Sequence, residues 1–387
     1  MQPFNQATKI LVIEDSAIGR SIISGIFSDA GYQSVYFAND GIEGIEQTVK
    51  LNPDLVVLDL IMPRMDGYDY LKKIRSISPY DTTPVIVQTA LADTEKHTQA
   101  FAAGATDLIL KPISPAELIA RATVHLENRI LQRNLLQHQE RTESELSQAI
   151  SMQMSILPSK ESIAKLEDFF NLKIASHFVA SEELSGDLWG IKKISEHEIA
   201  LYQVDFAGHG VMAAMNTFRL HTLIESKLPL HNRPGDYLTE LNNYLHEILM
   251  TREFATMFYG VINLLESRLD YAVAASTNAI ILESGGNLRV LSGNGLPLSV
   301  KENTIYKTQS TPFQLLDTLI TYSDALIEKQ RVGNQAFDES GLLATCQRFN
   351  KTMSPQTMLT AILSAFYETT GDDCVEDDLT IAILQRI

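Results

Sequence analysis

Cysteine is scarce in this sequence of 387 residues, which contains only Cys346 and Cys374. Two cysteines provide neither a CxxC metal motif nor a disulfide framework, and this favours a reducing compartment. No apolar stretch approaches the roughly 18 residues that span a bilayer. The first residues, MQPFNQATKILVIED, lack the basic region and long apolar run of a signal peptide. We therefore expect a soluble, cytoplasmic protein with no membrane partner.

Positive charge is also in short supply, since 31 Lys and Arg residues stand against 48 Asp and Glu residues, for a net charge of -17. Such a surface repels nucleic acid and anionic membranes. We find no run of Lys and Arg and no helix-turn-helix pattern, so a DNA-binding output is disfavoured and no nucleic acid is expected as a partner. A chain of 387 residues is too long for one ordinary core and predicts two domains.

The first part of the chain, residues 1–125, alternates short apolar runs with amphipathic segments. Runs such as LVVLDL and PVIVQ are apolar on both faces, which is typical of a buried parallel sheet. Five βα units predict an α/β doubly wound, five-stranded parallel sheet whose ligands bind at the carboxyl ends of the strands. The predicted strands are Lys9–Glu14, Ser34–Ala38, Leu55–Leu60, Pro84–Gln88 and Asp107–Leu110, with helices that include Ala17–Asp29 and Gly41–Lys50.

Residues 115–157 have a different character, because glycine is absent and polar residues surround regularly spaced apolar ones. This pattern predicts a helical linker that continues the last helix of the first domain. Spacings near three and four allow a coiled-coil seam, and they also fit a plain amphipathic helix packed on one domain. We expect the helix to end at Ile156–Lys160 and the chain to form a homodimer through it.

The third part, residues 158–387, is rich in period-two patterns that predict strands. Three helical blocks interrupt them at Val211–Lys227, Pro234–Met250 and Pro355–Phe366. Antiparallel strands with segregated helices predict an α+β layered antiparallel β-sandwich flanked by helices. The strand-like runs are IALYQVD, ATMFYGVIN, RLDYAVAAS, AIILES, LRVLS and LTIAILQRI.

Polar side chains stand at the ends of the predicted parallel strands. Glu14 and Asp15 end the first strand, Asp59 the third, Thr89 the fourth and Lys111 the fifth. Clustered carboxylates repel one another unless a cation lies among them, and Mg²⁺ suits such oxygen ligands. Asp59 would attack a phosphoryl donor through its carboxylate, and Thr89 and Lys111 would bind the phosphoryl oxygens. Each residue alone fits an ordinary solvated strand end, but the complete set at the correct ends does not.

The segments ED, LDLIMPRMDGYD, TA and KP resemble the CheY-like receiver family over residues 8–126. The resemblance implies that Asp59 is the phosphoacceptor, with a cognate histidine kinase or phosphotransfer protein as partner. It also implies that Glu14, Asp15, Asp59 and the carbonyl of Met62 hold Mg²⁺.

One departure from the receiver pattern concerns Leu108, three positions before Lys111, where the family usually has an aromatic residue. The family's aromatic rotamer switch is therefore not expected here. We expect signalling to run through the last receiver helix into the linker.

Aspartates mark four places in the third part, each at the edge of a strand-like run. Glycines beside an aspartate let backbone and bound water approach closely. Four aspartates brought together demand cations, and two divalent metals about 3.5–4 Å apart that bridge a water are a standard device for hydrolysing phosphate esters. For any one of these aspartates, a turn or cap residue is the alternative. The four segments are Ser185–Asp187, Asp205–Gly210, Tyr322–Asp324 and Asp377–Thr380.

The ordered set resembles the SpoIIE/RsbU-type branch of the phosphatase 2C family over about residues 150–387. The matching segments are Gln-x-x-Ile-Leu-Pro (Gln153–Pro158), SGD, D-x-x-GHG-x-x-A-A, ATMFYG, GLPL, YSD and DDLT. The resemblance implies a metal-dependent serine/threonine protein phosphatase that uses two Mn²⁺ or Mg²⁺ ions. The implied catalytic metal ligands are Asp187, Asp205, the carbonyl of Phe206, Asp324 and Asp377, with Asp378 as a further candidate and His209 as a general acid or a loop-packing residue.

Two departures stand out in this half. The family's GGDFYD-like segment is SGDLWG here, so that Gly190 replaces an accessory carboxylate. The usual AGH-N-P segment is Ala275–Ala279, which changes a loop near the substrate. Neither departure removes a principal metal ligand.

Together the two resemblances imply a two-component response regulator whose phosphorylation at Asp59 controls the phosphatase. By resemblance, its substrate is a phosphorylated anti-sigma-factor antagonist in a partner-switching pathway that regulates a sigma factor. The alternative is a non-catalytic, RssB-like adaptor that binds a sigma factor or anti-sigma partner through a degenerate phosphatase domain. An adaptor has no need of four aspartates in order, and this favours the enzyme.

Overall fold

The chain forms two compact units, Met1–Glu143 and Ser144–Ile387, and the boundary falls inside one continuous helix. A helix long and apolar enough to cross a membrane is not found anywhere in the described part of the chain. The computed structural model describes residues 8–90, 94–181, 183–208, 210–226, 229–250, 252–327, 331–332, 335–370 and 377–387.

The first unit is a parallel five-stranded sheet with strands in the order β2-β1-β3-β4-β5, and apolar clusters cover both of its faces. The predicted doubly wound fold is confirmed. Strands β3 and β4 are buried along their whole length, as their two-sided apolar runs indicate. The elements are β1 (Lys9–Ile13), α1 (Ala17–Asp29), β2 (Ser34–Ala38), α2 (Gly41–Leu51), β3 (Leu55–Asp59), α3 (Gly67–Arg75), β4 (Val85–Thr89), α4 (Thr94–Ala102), β5 (Asp107–Leu110) and α5 (Pro115–Ile156).

Helix α5 is 42 residues long and ends at Ile156, the first residue of the segment in which its end was predicted. Its first half is tied to the first unit by three polar side chains, whose spacings of four and eight residues place them on one helix face. Arg121 and His125 contact Asp107 at 2.6 and 3.0 Å, and Arg133 contacts Asp54 at 3.1 Å. These contacts secure the helix to the starts of β3 and β5.

The second unit is a sandwich of two antiparallel sheets flanked by helices, which confirms the predicted architecture. One sheet has the order β13-β10-β9-β8-β7 and the other β12-β11-β14-β17-β6, with an apolar layer between them. Helices α7 and α8 cover the first sheet, and α9 and α10 cover the second. The elements are α6 (Lys160–Phe170), β6 (Leu172–Val179), β7 (Asp187–Lys193), β8 (Glu198–Phe206), α7 (Gly210–Ser226), α8 (Pro234–Ile248), β9 (Ala255–Asn263), β10 (Arg268–Ala274), β11 (Ala279–Leu282), β12 (Leu288–Leu291), β13 (Gln309–Pro312), β14 (Thr318–Tyr322), β15 (Arg331–Val332), β16 (Gln335–Ala336), α9 (Glu339–Cys346), α10 (Pro355–Thr370) and β17 (Leu379–Arg386).

Helices α6 and α9 of the second unit were not predicted, and the strand predicted through Ser276 is too long. The stretch after Pro158 begins with helix α6, whose N-cap is Ser159 with its hydroxyl accepting from the Ser162 amide. The strand expected to reach Ser276 ends at Ala274, because Ala275 takes a left-handed φ of 53° that breaks the extended backbone.

Candidate functional site

Three carboxylates meet at the carboxyl ends of β1 and β3. Glu14 and Asp15 follow β1 and Asp59 ends β3, and one oxygen from each side chain lies within 4.8 Å of the others. Glu14 and Asp59 are buried, whereas Asp15 is exposed. The structure therefore brings together the three acidic residues that the strand pattern predicts at this edge.

Lys111 closes this cluster from the end of β5. Its Nζ lies 2.6 Å from Asp59 Oδ2 and 3.0 Å from Glu14 Oε2. Burial opposes the charged form of Lys111, but hydrogen bonds from its ammonium to Asp59 and Glu14 outweigh that effect and raise its pKa. Burial raises the pKa of Glu14, with the Lys111 hydrogen bond opposing and the Asp59 charge reinforcing the shift. One ammonium among three carboxylates leaves negative charge that suits a hard divalent cation.

Residues around this carboxylate cluster hold it in place through a hydrogen bond and through the geometry of the turn after β3. Gln88, a polar side chain inside the apolar run PVIVQ, is buried and donates from Nε2 to Glu14 Oε2 at 2.8 Å. A Cβ at position 67 would lie 2.4 Å from the Asp59 carbonyl oxygen, so the turn after β3 requires Gly67. We did not predict roles for either residue, although MDGYD contains that glycine. Met62 is buried, and Thr89 ends β4 with its carbonyl accepting from the Lys111 amide.

The second set of aspartates lies at one end of the sandwich. Asp187 begins β7 and pairs in register with Asp205 near the end of β8. Asp324 follows β14 by two residues and Asp377 precedes β17 by two, and those strands pair antiparallel. Asp205 and Asp324 line one pocket. The ends of four strands, two from each sheet, therefore carry the four predicted aspartates.

Asp187 is the most deeply buried of these acids, with 1% of its surface exposed. Burial raises the pKa of its carboxyl well above the usual range, and the nearby charges of Asp205, Asp378 and Asp324 raise it further. Its Oδ2 accepts a hydrogen bond from the Thr380 hydroxyl, whereas Oδ1 is buried and has no hydrogen-bond partner within the described ranges. A buried carboxylate oxygen with no donor, in a carboxyl that lies near other carboxylates, fits a divalent cation.

Asp378 and Asp377 are adjacent in the sequence, but their carboxylates accept different hydrogen bonds. Asp378 Oδ1 accepts from the Ser181 amide and hydroxyl, and its Oδ2 accepts from the Gly186 amide at 2.6 Å. Both of its oxygens are thus engaged by donors, so Asp378 anchors the loop before Asp187. Asp377 is half-buried, and its Oδ1 accepts from the Asp378 amide.

The carboxylates of the second unit are spaced more widely than those of the first. Across the ranges that the structure describes, only the cluster in the first unit brings three ligand atoms within 4.8 Å of one another. A site for two cations about 3.5–4 Å apart is wider than a site for one, so its outer ligands need not approach one another so closely. Phe206 is buried, and a Cβ at Gly186 would lie 2.9 Å from its carbonyl oxygen.

The two departures in the sequence have different positions in the fold. Gly190 lies on the opposite face of β7 from Asp187, where a Cβ would lie 2.3 Å from the ring of Tyr202. A carboxylate at position 190 would therefore point away from the Asp187 carboxyl. By contrast, Ala275–Thr277 line the same pocket as Asp205. His209 lies outside the described residues.

Comparisons with known proteins divide the chain into the same two parts. The model of the response regulator receiver domain matches residues 10–123, and that of stage II sporulation protein E (SpoIIE) matches residues 195–387. Phosphoserine phosphatase RsbP of Bacillus subtilis is 28% identical over 161 residues, which are 41% of this chain and 40% of RsbP. The chain therefore spans less than half the length of that relative.

A second relative aligns across both parts of the chain. Regulator of RpoS of Escherichia coli K12 is 26% identical over 311 residues, which are 76% of this chain and 88% of that protein. Among solved structures, the SiaA-PP2C domain of Pseudomonas aeruginosa superimposes with a TM-score of 0.57 at 17% identity, covering 65% of this chain and 98% of that one. At this identity the structural match shows the fold alone.

Proposed function

Since the chain is a response regulator receiver domain joined to a SpoIIE-type phosphatase 2C domain, we propose that phosphorylation of Asp59 controls a metal-dependent serine/threonine protein phosphatase. The observation that carries the proposal is the buried Oδ1 of Asp187, which has no hydrogen-bond donor among the described residues and belongs to a carboxyl influenced by the charges of neighbouring aspartates. A domain used only for docking has no need to keep such an unfavourable group in its interior.

In the receiver, Asp59 is the phosphoacceptor for a histidine kinase or phosphotransfer protein. Its carboxylate oxygen forms a bond to phosphorus as the bond from phosphorus to the donor histidine nitrogen breaks, and the electron pair leaves with that nitrogen. Glu14, Asp15, Asp59 and the Met62 carbonyl would hold Mg²⁺, which would neutralise phosphoryl oxygens. The Lys111 ammonium, 2.6 Å from Asp59 Oδ2, would bind another of these oxygens together with the Thr89 hydroxyl.

In the phosphatase, a water oxygen bonds to phosphorus as the bond from phosphorus to the serine or threonine oxygen breaks. The proton that the water loses is balanced by the proton that the departing oxygen gains, so the side chain is released as a hydroxyl. The bound pair of Mn²⁺ or Mg²⁺ ions would supply an acidified water and neutralise phosphoryl charge. Thr380 orients Asp187 through its hydroxyl, and Asp378 fixes the loop before Asp187. The residues that we propose to hold the ions are Asp187, Asp205, Asp324, Asp377 and the carbonyl of Phe206.

For the substrate we propose a phosphorylated anti-sigma-factor antagonist in the cytoplasm, within a partner-switching pathway. Support comes from the match to a protein named phosphoserine phosphatase.

We propose that the domains are residues 1–125 and 158–387, and that a linker at 115–157 joins them. Two copies of the chain pair through this linker. Leu131 and Leu135 support that pairing, because α5 leaves 65% and 69% of their surfaces exposed.

The test uses the purified full chain, p-nitrophenyl phosphate and Mn²⁺, with and without acetyl phosphate as phosphodonor. We expect Mn²⁺-dependent hydrolysis whose rate changes on receiver phosphorylation. Asp187→Asn, which keeps the shape of the side chain, should abolish that hydrolysis. The same assay on the phosphorylated antagonist tests the choice of substrate.

A second candidate is favoured by the match to Regulator of RpoS, which extends across both parts of the chain. In this second proposal the protein is a non-catalytic adaptor that binds a sigma factor or an anti-sigma partner. Stable binding of such a partner, together with no Mn²⁺-dependent hydrolysis in either receiver state, would establish the adaptor and remove the enzyme.

A further inference from the structure

Near the C-terminal end of α5, the Gln153 side chain forms hydrogen bonds with the backbone just before Asp187. Gln153 Nε2 donates to the Ser185 carbonyl oxygen at 2.6 Å, and the Ser185 amide donates to Gln153 Oε1 at 3.0 Å. Both partners are buried, with 3% of Gln153 exposed. The two ends of one carboxamide therefore satisfy both polar groups of one peptide residue, as a neighbouring strand would.

The segment Ser185–Asp187 is otherwise held by the phosphatase fold itself. The Gly186 amide donates to Asp378 Oδ2, and the Gly186 carbonyl accepts from the Phe206 amide at 3.2 Å. The Asp187 amide donates to the Ser185 hydroxyl at 3.0 Å. Gln153 thus supplies hydrogen bonds from α5 to a segment whose other hydrogen bonds named here come from the sandwich or from within the segment.

We propose that Gln153 is a positioning residue, which holds Ser185–Asp187 so that the Asp187 carboxylate faces the metal site. The inference rests on the proposed phosphatase function, and it adds the point at which the linker helix acts on the site. Gln153 touches no reacting atom and acts through Ser185.

The neighbours of Gln153 make this contact sensitive to helix rotation. Met152 and Met154 are 59% and 52% exposed, so the buried amide lies between two side chains directed toward solvent. Adjacent helix positions are about 100° apart. A rotation of α5 by one residue would replace the amide with a thioether, which cannot donate a hydrogen bond to the Ser185 carbonyl. Both bonds would then be lost together.

The first test is Gln153→Met in the full chain, since methionine keeps the length of glutamine and removes both hydrogen bonds. Gln148→Met is the matched control, because Gln148 is an exposed glutamine of the same helix. We expect faster amide hydrogen exchange in the peptide that covers Ser185–Asp187 for Gln153→Met and wild-type exchange for the control. Unchanged exchange in both variants would overturn the proposal.

The second test measures Mn²⁺ affinity by calorimetry at a temperature where both variants are folded. Loss of a residue that orients a metal ligand typically weakens binding about 10- to 100-fold, and we expect this for Gln153→Met alone. A purely structural role would lower the melting temperature and leave the Mn²⁺ affinity of the folded protein unchanged, which would overturn the inference. Wild-type protein that binds no Mn²⁺ would instead refute the proposed phosphatase, while the exchange experiment would still decide whether Gln153 positions the segment.

Discussion

Asp187 and Asp205 lie directly opposite each other on the neighbouring antiparallel strands β7 and β8. Cross-strand partners have Cβ atoms about 4.5–5.5 Å apart on the same face of the sheet, and like charges in that position destabilise a sheet. Burial, followed by the Asp205 charge, raises the pKa of the Asp187 carboxyl. The fold therefore keeps a repulsive pair at a place where stability alone favours neutral side chains.

We predict that Asp205→Asn stabilises the metal-free protein and abolishes the rise in melting temperature that Mn²⁺ binding gives to the second unit. Removing one charge relieves the repulsion, and each kcal/mol gained raises the melting temperature by about 2–4 °C for a unit of this size. Melting in EDTA and in Mn²⁺ measures both effects, with a substitution of the exposed Asp168 on α6, Asp168→Asn, as the control. A variant that is less stable in EDTA and still stabilised by Mn²⁺ would contradict the assignment.

The adjacent acids Asp377 and Asp378 should respond differently to alanine. Asp377→Ala should remove Mn²⁺-dependent hydrolysis and leave the fold intact, because its carboxylate is proposed as a metal ligand. Asp378→Ala should destabilise the protein by about 1–3 kcal/mol, since it leaves the buried Gly186 amide without its acceptor. Circular dichroism, urea unfolding and hydrolysis rates separate the two outcomes. If Asp377→Ala and Asp378→Ala destabilised the protein equally, the assignment of Asp377 as a metal ligand and Asp378 as a structural anchor would be contradicted.

Much of this architecture follows from local patterns in the chain. Strand β2 has the predicted bounds Ser34–Ala38, because short apolar runs between turn residues leave little choice of register. Helix α6 was missed although Ile163, Leu166 and Phe170 recur at helical spacing, because the period-two runs that follow dominate the region. The bonds between Gln153 and Ser185 join residues 32 positions apart, and their pairing depends on packing that no local pattern encodes.

We predict that Asp59 is the sole phosphorylation site of the receiver. Asp59→Asn should abolish labelling by radioactive acetyl phosphate, since asparagine lacks the carboxylate oxygen that attacks phosphorus. Asp69→Asn, at an exposed carboxylate on α3, should label like wild type. Undiminished labelling of Asp59→Asn would disprove the assignment.

A pH-dependent contribution to stability is expected from Asp107, which ties β5 to α5. Burial alone would raise the pKa of Asp107, but hydrogen bonds from Arg121 and His125 outweigh it and lower the pKa. A carboxyl with a lowered folded pKa stabilises the protein above its unfolded pKa and loses that effect as pH falls through the folded one. Asp107→Asn should therefore destabilise the protein at pH 7, and it should do so less at an acidic pH below the ordinary aspartate pKa of about 3.9. Urea unfolding followed by circular dichroism measures this, and equal losses at both pH values would contradict it.

The last prediction concerns coupling through α5. A phosphoryl group on Asp59 adds charge and acceptor oxygens, which attract the Lys111 ammonium at the end of β5. Because Leu108 replaces the aromatic switch, the route from β5 into α5 is the most direct one along the chain. We predict that phosphorylation changes the packing or dimerisation of the helix over residues 115–157. A bias of roughly 5 kcal/mol would move a two-state equilibrium from 1:99 to 99:1.

Insertions after Gln137 test this route, because Gln137 lies in the exposed middle of α5. Two inserted residues turn the following helix by about 200°, whereas seven residues return it to within about 20° of its original phase. We expect the two-residue insertion to uncouple phosphatase activity from acetyl phosphate and the seven-residue insertion to preserve the response. If both insertions respond like wild type, helical phase carries no signal and α5 is only a tether.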